Sequence, residues 1–381
     1  MASHGNSPSV APGRQELEVS IFGPGFGECI ALHLGNGDWG VIDSCLDPAS
    51  KRPAALGYLE SLGVDVATAV KFVVATHWHD DHVQGVSDVF QAAKAAVFAC
   101  TQAVRAPDFN AVLSSWLGTR FLTGGSGVDE LRRVLAEIKS RSSGVRSPSP
   151  KLAVAGKVLW KRATEFPATV TAMSPSDAAV LAAIAGLSEI KPSVGKARRR
   201  VPPIKPNDAS VVLSVQAGDH RLLLGADLEV RGDRGLGWAA VVESAGSNCE
   251  KHQVFKVPHH GSRTGHADEV WDTLLIAEPW SATTPFASGN ICLPSAEDCQ
   301  RILNRTRRAY LTAPPMPGKF HDASRAVEKT ILETTRSVQI LPGKYGHVRI
   351  RKDLAAKSDS DWHVELFGNA LNMESYVSAI A

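Results

Sequence analysis

Residues 73–82 read VVATHWHDDH. Three histidines and two aspartates fall within positions 77–82, directly after the apolar run Lys71-Phe72-Val73-Val74-Ala75. That run predicts a buried strand. Beyond Ala75 the chain leaves the sheet, so the polar residues sit at the strand's C-terminal end, where a loop can aim them into one pocket. His77 and His79 are two apart, and an extended backbone sends both imidazoles to one side. Asp81 and His82 follow at a spacing that a tight turn can bring back to a second point. Two nitrogens on one side, and a carboxylate with a nitrogen on the other, form a ligand set for two borderline divalent metals. The plainer alternative is a polar loop facing solvent. Against it, 13 histidines spread over 381 residues seldom place three in six positions beside paired aspartates.

The rest of the chain has room for a large core. At 381 residues it suits one large domain or two ordinary ones. Hydrophobic content of 44% and charged content of 21% are those of a globular protein in water. No apolar run approaches the roughly 18 residues needed to cross a bilayer, so no membrane association is expected. The opening MASHGNSPSVAPGR has neither a basic start nor an apolar core and does not read as a secretory signal. The six cysteines (Cys29, Cys45, Cys100, Cys249, Cys292, Cys299) are scattered without C-x-x-C pairs. They read as reduced buried thiols of a cytoplasmic protein. Charge is uneven. Residues 141–206 carry 12 Lys and Arg against Glu165, Asp177 and Glu189, about +9, in a chain whose net charge is only +2.

Apolar patterning places the elements around the ligand stretch. Glu16–Phe22 alternates as a strand, and Gly23–Gly27 is a turn. Glu28–Leu34 and Trp39–Ile42 read as strands joined through Gly35-Asn36-Gly37-Asp38, a hairpin signal. Arg52–Leu62 and Val83–Lys94 read as helices on either side of the ligand strand. Residues 128–140 and 176–187 read as helices, and 151–161 and 168–173 as strands. Lys191–Pro206 is a basic, proline-punctuated loop containing Arg198, Arg199 and Arg200. NDASVVLSVQAGDHRLLLGADLE, from Asn207, reads as two strands through a Gly-Asp turn, ending at Gly225-Ala226-Asp227. Phe255–Pro258 is a short strand ending in His259-His260-Gly261-Ser262. Strands at 280–286, 310–312 and 337–341, and helices at 295–303 and 323–334, complete the pattern. His33, inside a strand, and His220, in a turn, read as structural.

THWHDDH resembles the T-H-x-H-x-D-H signature of the metallo-β-lactamase fold hydrolases. The N-D-x-S-V-V-L opening at 207, the L-L-L-G-A-D ending at 227 and the later H-H-G-S resemble one branch, the ComEC/Rec2-like hydrolases. The resemblance implies an α/β fold, the αββα four-layer sandwich, spanning about residues 15–352. Residues 1–14 would be a disordered lead-in, 141–206 a basic insert and 353–381 an appended end. It also implies two divalent ions, Zn or Mn, held by His77, His79, Asp81, His82, Asp227 and one of the final histidines. His259 is preferred there, because adjacent residues of an extended segment point opposite ways. His260 is then left to face substrate or support the site. Asp43 would orient the ligand loop. Asn207 or Asp208 would stand near the metals, Asp208 completing a coordination sphere unless it merely caps a strand. The family's third-motif histidine has no counterpart between Val83 and Ala226 apart from His220, and that branch commonly lacks it. His321 is a further loop residue that could enter the site.

The implied reaction is hydrolysis by a metal-bound hydroxide. Coordination lowers the pKa of a water from about 15.7 to about 7. Asp81, Asp80 and His260 are the candidate catalytic residues, with Asp80 free to move a proton. Three readings of the substrate compete. A phosphodiesterase or nuclease acting on DNA or RNA is favoured by the ComEC-like motifs. The basic segment adds to it, with Arg198, Arg199 and Arg200 on the phosphate backbone and Ser262 and Arg263 on the reacting phosphate. The plainer view of that segment is a solvated loop. A cytoplasmic hydrolase of a small thioester or lactone is the second reading, and a non-catalytic binding domain the third.

Overall fold

The computed structural model describes residues 3–4, 8–23, 27–102, 127–141, 150–188, 206–288, 291–315, 345–357 and 360–380. Its frame is two large sheets. The first has nine strands, in the order Ser3–His4, His363–Gly368, Gly346–Asp353, Glu16–Gly23, Cys29–Leu34, Trp39–Ile42, Val70–Ala75, Val97–Thr101 and Lys151–Ala153. Its first-laid hairpins are antiparallel, whereas Val70–Ala75 and Val97–Thr101 run parallel to their neighbours. The second has eight, in the order Leu371–Asn372, Ala309–Leu311, Leu275–Thr283, His252–Lys256, His220–Leu224, Leu213–Ala217, Ala168–Ala172 and Val158–Arg162.

Side-chain alternation explains the layering. In Cys29–Leu34, Ile30, Leu32 and Leu34 enter the core between the sheets, whereas Cys29 and Ala31 enter the core beyond the first sheet. Phe72 and Val74 face inward, and Val73 and Ala75 outward. In the second sheet, Leu222, Leu224 and Val254 face inward, while Leu223 and Phe255 meet a third core. A strand buried on both faces reads as a continuous apolar run, the pattern seen at 70–75. Helices cover both outer faces. Ala54–Ser61, Val86–Ala92 and Gly127–Arg141 supply Leu59, Val89, Phe90 and Leu131 to the outer core of the first sheet. Trp238, Trp271, Ile302 and Met373 seal the second from four short helices. The result is the expected α/β arrangement of four layers, αββα.

Several boundaries differ from the sequence reading. The helix expected at Val83–Lys94 is broken into Asp80–Val83 and Val86–Ala92, because Gly85 adopts φ 78°. The strand expected over 151–161 is two strands in different sheets, Lys151–Ala153 and Val158–Arg162. Residues 206–209 form a short 3-10 turn, and the paired strands begin at Leu213. His363–Gly368 pairs within the first sheet and Leu371–Asn372 within the second, so these parts of the expected appendage lie in the frame. Near the other end, the carbonyls of Pro8 and Val10 accept from Arg349, and that of Val10 also from Arg351. The elements expected at 323–334 and 337–341, His321, and the stretches 142–149 and 189–205 of the basic insert, including Arg198, Arg199 and Arg200, lie outside the described residues. Among the described residues no helix is long and apolar enough to cross a membrane.

Candidate metal centre

The carboxyl ends of Trp39–Ile42 and Val70–Ala75 in the first sheet, and of His220–Leu224 and His252–Lys256 in the second, open toward one another. The loops leaving them carry Asp43, residues 76–82, Asp227 and residues 259–262. Among the described residues three groups of side chains are close enough to hold an ion. One of them, Glu28, Asp43 and His82, already has protein partners in Lys256 and Thr76. That leaves two: Asp81, His82, Asp227 and His260, and His77, His79 and Asp227. Asp227 belongs to both. The ligand atoms of each group lie within 4.8 Å of one another. That is close to the span allowed around one cation with bonds of about 2.1 Å.

His82, His77 and His260 are each fixed by a bond on the far side of the ring. Asp43 is fully buried, with φ 57°. Its Oδ1 accepts from the Thr76 backbone N–H at 2.7 Å, and its Oδ2 from the Thr76 hydroxyl at 2.7 Å. The same Oδ2 accepts from Nδ1 of His82 at 2.7 Å. His82 therefore turns Nε2 toward the centre. The Thr76 hydroxyl, having donated to Asp43, accepts from Nδ1 of His77 at 3.0 Å. His77 thus presents its own Nε2, 3.1 Å from Nδ1 of His79. A carboxylate or carbonyl behind a ligating imidazole is the arrangement that sets its tautomer and raises its basicity.

The His259-His260 pair is not extended. Both residues have positive φ, 48° and 53°, in a tight 3-10 turn. That changes which histidine faces the centre. His260 is buried and bonds the Thr284 carbonyl through Nδ1 at 3.0 Å. Its Nε2 lies 3.2 Å from Oδ2 of Asp81 and 3.6 Å from Oδ2 of Asp227. His259, preferred as the ligand on the extended-backbone argument, belongs to neither group. Its Nδ1 contacts the hydroxyls of Thr264 and Ser262 at 2.8 and 3.0 Å. Its Nε2 lies 3.4 Å from the Asn207 amide nitrogen.

The electrostatics fit a cation site. Burial alone would favour neutral Asp81 and Asp227. His82 and His260 outweigh it and hold both carboxyls below the usual carboxylate range. Burial likewise opposes charge on His82 and His260, but Asp227 and Asp81 overcome it and raise both. Burial pushes His77 and His79 down, and the neighbouring His82 adds to the effect. A divalent ion bound here would balance the same two carboxylates that raise His82 and His260, and its uptake would displace any second proton on those rings. Nε2 of His82 and Oδ1 of Asp227 lie 3.4 Å apart, yet neither atom has a hydrogen-bond partner among the described residues. Unsatisfied buried polar atoms are rare and call for an ion or water.

The remaining sequence candidates surround this centre or lie apart from it. Asp80 is exposed at the start of the Asp80–Val83 helix and belongs to neither group. Asp208 pairs with Arg231 and also belongs to neither. Ser262 is buried beside His259, while Arg263 is exposed. His220 contacts the Asp353 carbonyl and the edge of Trp362. Sequence reasoning missed Glu28 and Lys256, a buried ion pair at 2.5 Å. It also missed Glu229, which accepts from the Asn207 amide at 2.8 Å beside His259. A signal for the first pair exists. Lys256 is a lone cation at the end of an apolar strand, and Glu28 a lone carboxylate at the start of another.

No family model matches the chain, and no curated protein does. Solved structures that it resembles include the metallo-beta-lactamase fold protein YhfI from Bacillus subtilis. That match has 11% identity, covers 64% of this chain and 70% of that one, and has a TM-score of 0.30. Another is the metallo-beta-lactamase MIM-1 from Novosphingobium pentaromativorans, with 15% identity, coverage of 68% and 83%, and a TM-score of 0.32. A third is Zn(2+)-bound PqqB from Methylobacterium extorquens, with 11% identity, coverage of 65% and 67%, and a TM-score of 0.29. At these TM-scores the likeness carries no argument about the site. The fold described above rests on its own sheets and cores.

Proposed function

We propose that this chain is a metal-dependent hydrolase with a two-ion centre that cleaves phosphodiester bonds in DNA or RNA. The observation that carries the hydrolase reading is the buried group of Asp81, His82, Asp227 and His260, sharing Asp227 with His77 and His79. Zinc or manganese bound there would polarise the phosphate and supply a nucleophile at neutral pH. The chain's own residues orient and exclude. Asp43 fixes the His82 tautomer, and the Thr284 carbonyl fixes that of His260. Phe286, stacked 5.0 Å from the His260 ring, keeps that side apolar. Asp80 is exposed beside the ligands, which supports a role for it in passing a proton to solvent. Ser262 and Arg263, on the turn after His260, are donors for a phosphate oxygen.

The nucleic-acid part of the reading rests on two sequence features. One is the basic segment with Arg198, Arg199 and Arg200, and the other is the resemblance to ComEC-like motifs. Cleavage of plasmid and single-stranded DNA, with manganese or zinc and an Asp81→Ala control, tests it. Metal-dependent cutting that the control lacks is the expected result, with affinity falling steeply as salt rises. A metal-loaded protein that leaves nucleic acid intact but hydrolyses a small thioester or lactone would refute the substrate assignment.

A further inference from the structure

The metal centre is backed by a buried ion pair that joins the two sheets. Lys256 ends the His252–Lys256 strand of the second sheet, and Glu28 precedes the Cys29–Leu34 strand of the first. Lys256 has no exposed surface and Glu28 only 1%. Their Nζ–Oε2 distance is 2.5 Å. A buried ion pair adds little to stability over apolar residues of the same size, because desolvation offsets the attraction. Its contacts indicate another role.

The two side chains of the pair touch the chain beside two ligands, and the Glu28 backbone touches it at a third. Lys256 Nζ donates to the Ala226 carbonyl at 3.1 Å. Ala226 immediately precedes Asp227 and has φ 45°, a conformation that an L-residue with a β-carbon holds only when its surroundings fix it. Glu28 Oε2 accepts from the Thr284 hydroxyl at 2.7 Å, and the Thr284 carbonyl bonds Nδ1 of His260. The Glu28 backbone N–H donates to the Asp81 carbonyl at 2.9 Å. Asp81 comes from the first sheet's loops, and Asp227 and His260 from the second's. One ion pair therefore registers both halves of the four-residue group.

We infer that Glu28 and Lys256 are positioning residues whose side chains hold Asp227 and His260 in metal-binding geometry. This rests on the metal-centre reading proposed above. The test uses the full chain titrated with Co2+, followed by visible absorption. The equivalent bound by the four-residue group is identified as the one lost in His260→Ala. In the double variant Glu28→Leu/Lys256→Met, which leaves no unpaired buried charge, circular dichroism is expected to match wild type. That equivalent is expected to bind about tenfold to a hundredfold more weakly, the range for partners behind metal ligands. The other equivalent shares only Asp227 with this group, so it should weaken by a smaller factor, a selectivity that general destabilisation would not produce. Should the double variant fail to fold, Thr284→Val removes the hydroxyl held by Glu28, which also lies 3.3 Å from Nδ1 of His260, and leaves the carbonyl that bonds that ring. It is expected to weaken the same equivalent selectively.

Equal weakening of both equivalents, or of neither, overturns the inference. A wild type that takes up a single Co2+ overturns the two-ion reading and this inference with it. A wild type that binds two ions and cuts no nucleic acid overturns only the substrate assignment.

Discussion

Replacing Asp43 by Asn tests how the centre chooses the nitrogen that faces a metal. Asparagine tolerates the left-handed φ of 57° at this position. It matches the carboxylate in shape but puts an NH2 where one oxygen stood. Each orientation then faces a donor. With NH2 at the Oδ1 position it meets the Thr76 backbone N–H, now 2.7 Å from that oxygen, and a backbone donor cannot reverse. With NH2 at the Oδ2 position it meets the Thr76 hydroxyl and Nδ1 of His82. The hydroxyl can rotate and the imidazole can change tautomer, so the second orientation costs less. His82 then carries its proton on Nε2, the nitrogen that faces Asp227 and would ligate. Recovering the other tautomer costs about 1.4 to 2.8 kcal/mol, a tenfold to hundredfold loss of metal affinity. Loss of one hydrogen bond to a charged group costs about 1.5–3 kcal/mol of folding stability, partly offset because a buried carboxylate is no longer desolvated. Long-range 15N–1H spectra of the imidazoles report the tautomer, and competition with a chromophoric chelator reports affinity. An Asp43→Asn protein with His82 still protonated on Nδ1 and zinc affinity within about threefold of wild type refutes the reasoning.

Two further predictions concern stability. His252 is buried, bonds the Leu274 carbonyl through Nδ1 at 2.8 Å, and is pushed down from its ordinary 6.5 to about 4 by burial. Between those values the unfolded chain takes a proton that the folded chain refuses, so stability falls as pH drops from 6.5 towards 4. The full loss is about 3 kcal/mol; denaturant midpoints at pH 7 and pH 4.5 should converge in His252→Gln, and an unchanged difference excludes this group. At Gly40 an added β-carbon would meet the Phe72 ring at 2.0 Å, inside the core between the sheets. Gly40→Ala is expected to cost about 1–3 kcal/mol by overpacking, read as a lower denaturant midpoint at unchanged slope. A midpoint equal to wild type would mean that Phe72 has room to move.

The strands of the frame were legible from period-two alternation at Glu16–Gly23 and from a continuous, largely β-branched apolar run at Val70–Ala75. Alternation failed where one apolar stretch serves two sheets. Lys151–Ala153 and Val158–Arg162 look continuous in sequence, and only their pairing partners separate them. At the centre, the ligand loop was legible because its residues are contiguous. The choice between His259 and His260 was not. It depends on two left-handed residues that no pattern of hydrophobicity encodes, and the wrong assumption of extended backbone assigned the wrong ring to the cluster.

The sequence by itself determined the inventory of the centre: which residues can ligate, and that they follow strands, since donor chemistry and strand periodicity are local properties. Tertiary structure decided which of them meet. His260 reaches Asp81 across 179 residues, and Thr284 reaches Glu28 across 256. Those distances close only when two sheets stack on the apolar core between them. The same stacking puts Lys256 against Glu28, a pairing that neither residue's neighbours announce. Side-chain direction at a turn depends on backbone dihedrals, and contacts between sheets depend on how whole faces pack. Neither quantity is carried by the spacing of residues along the chain.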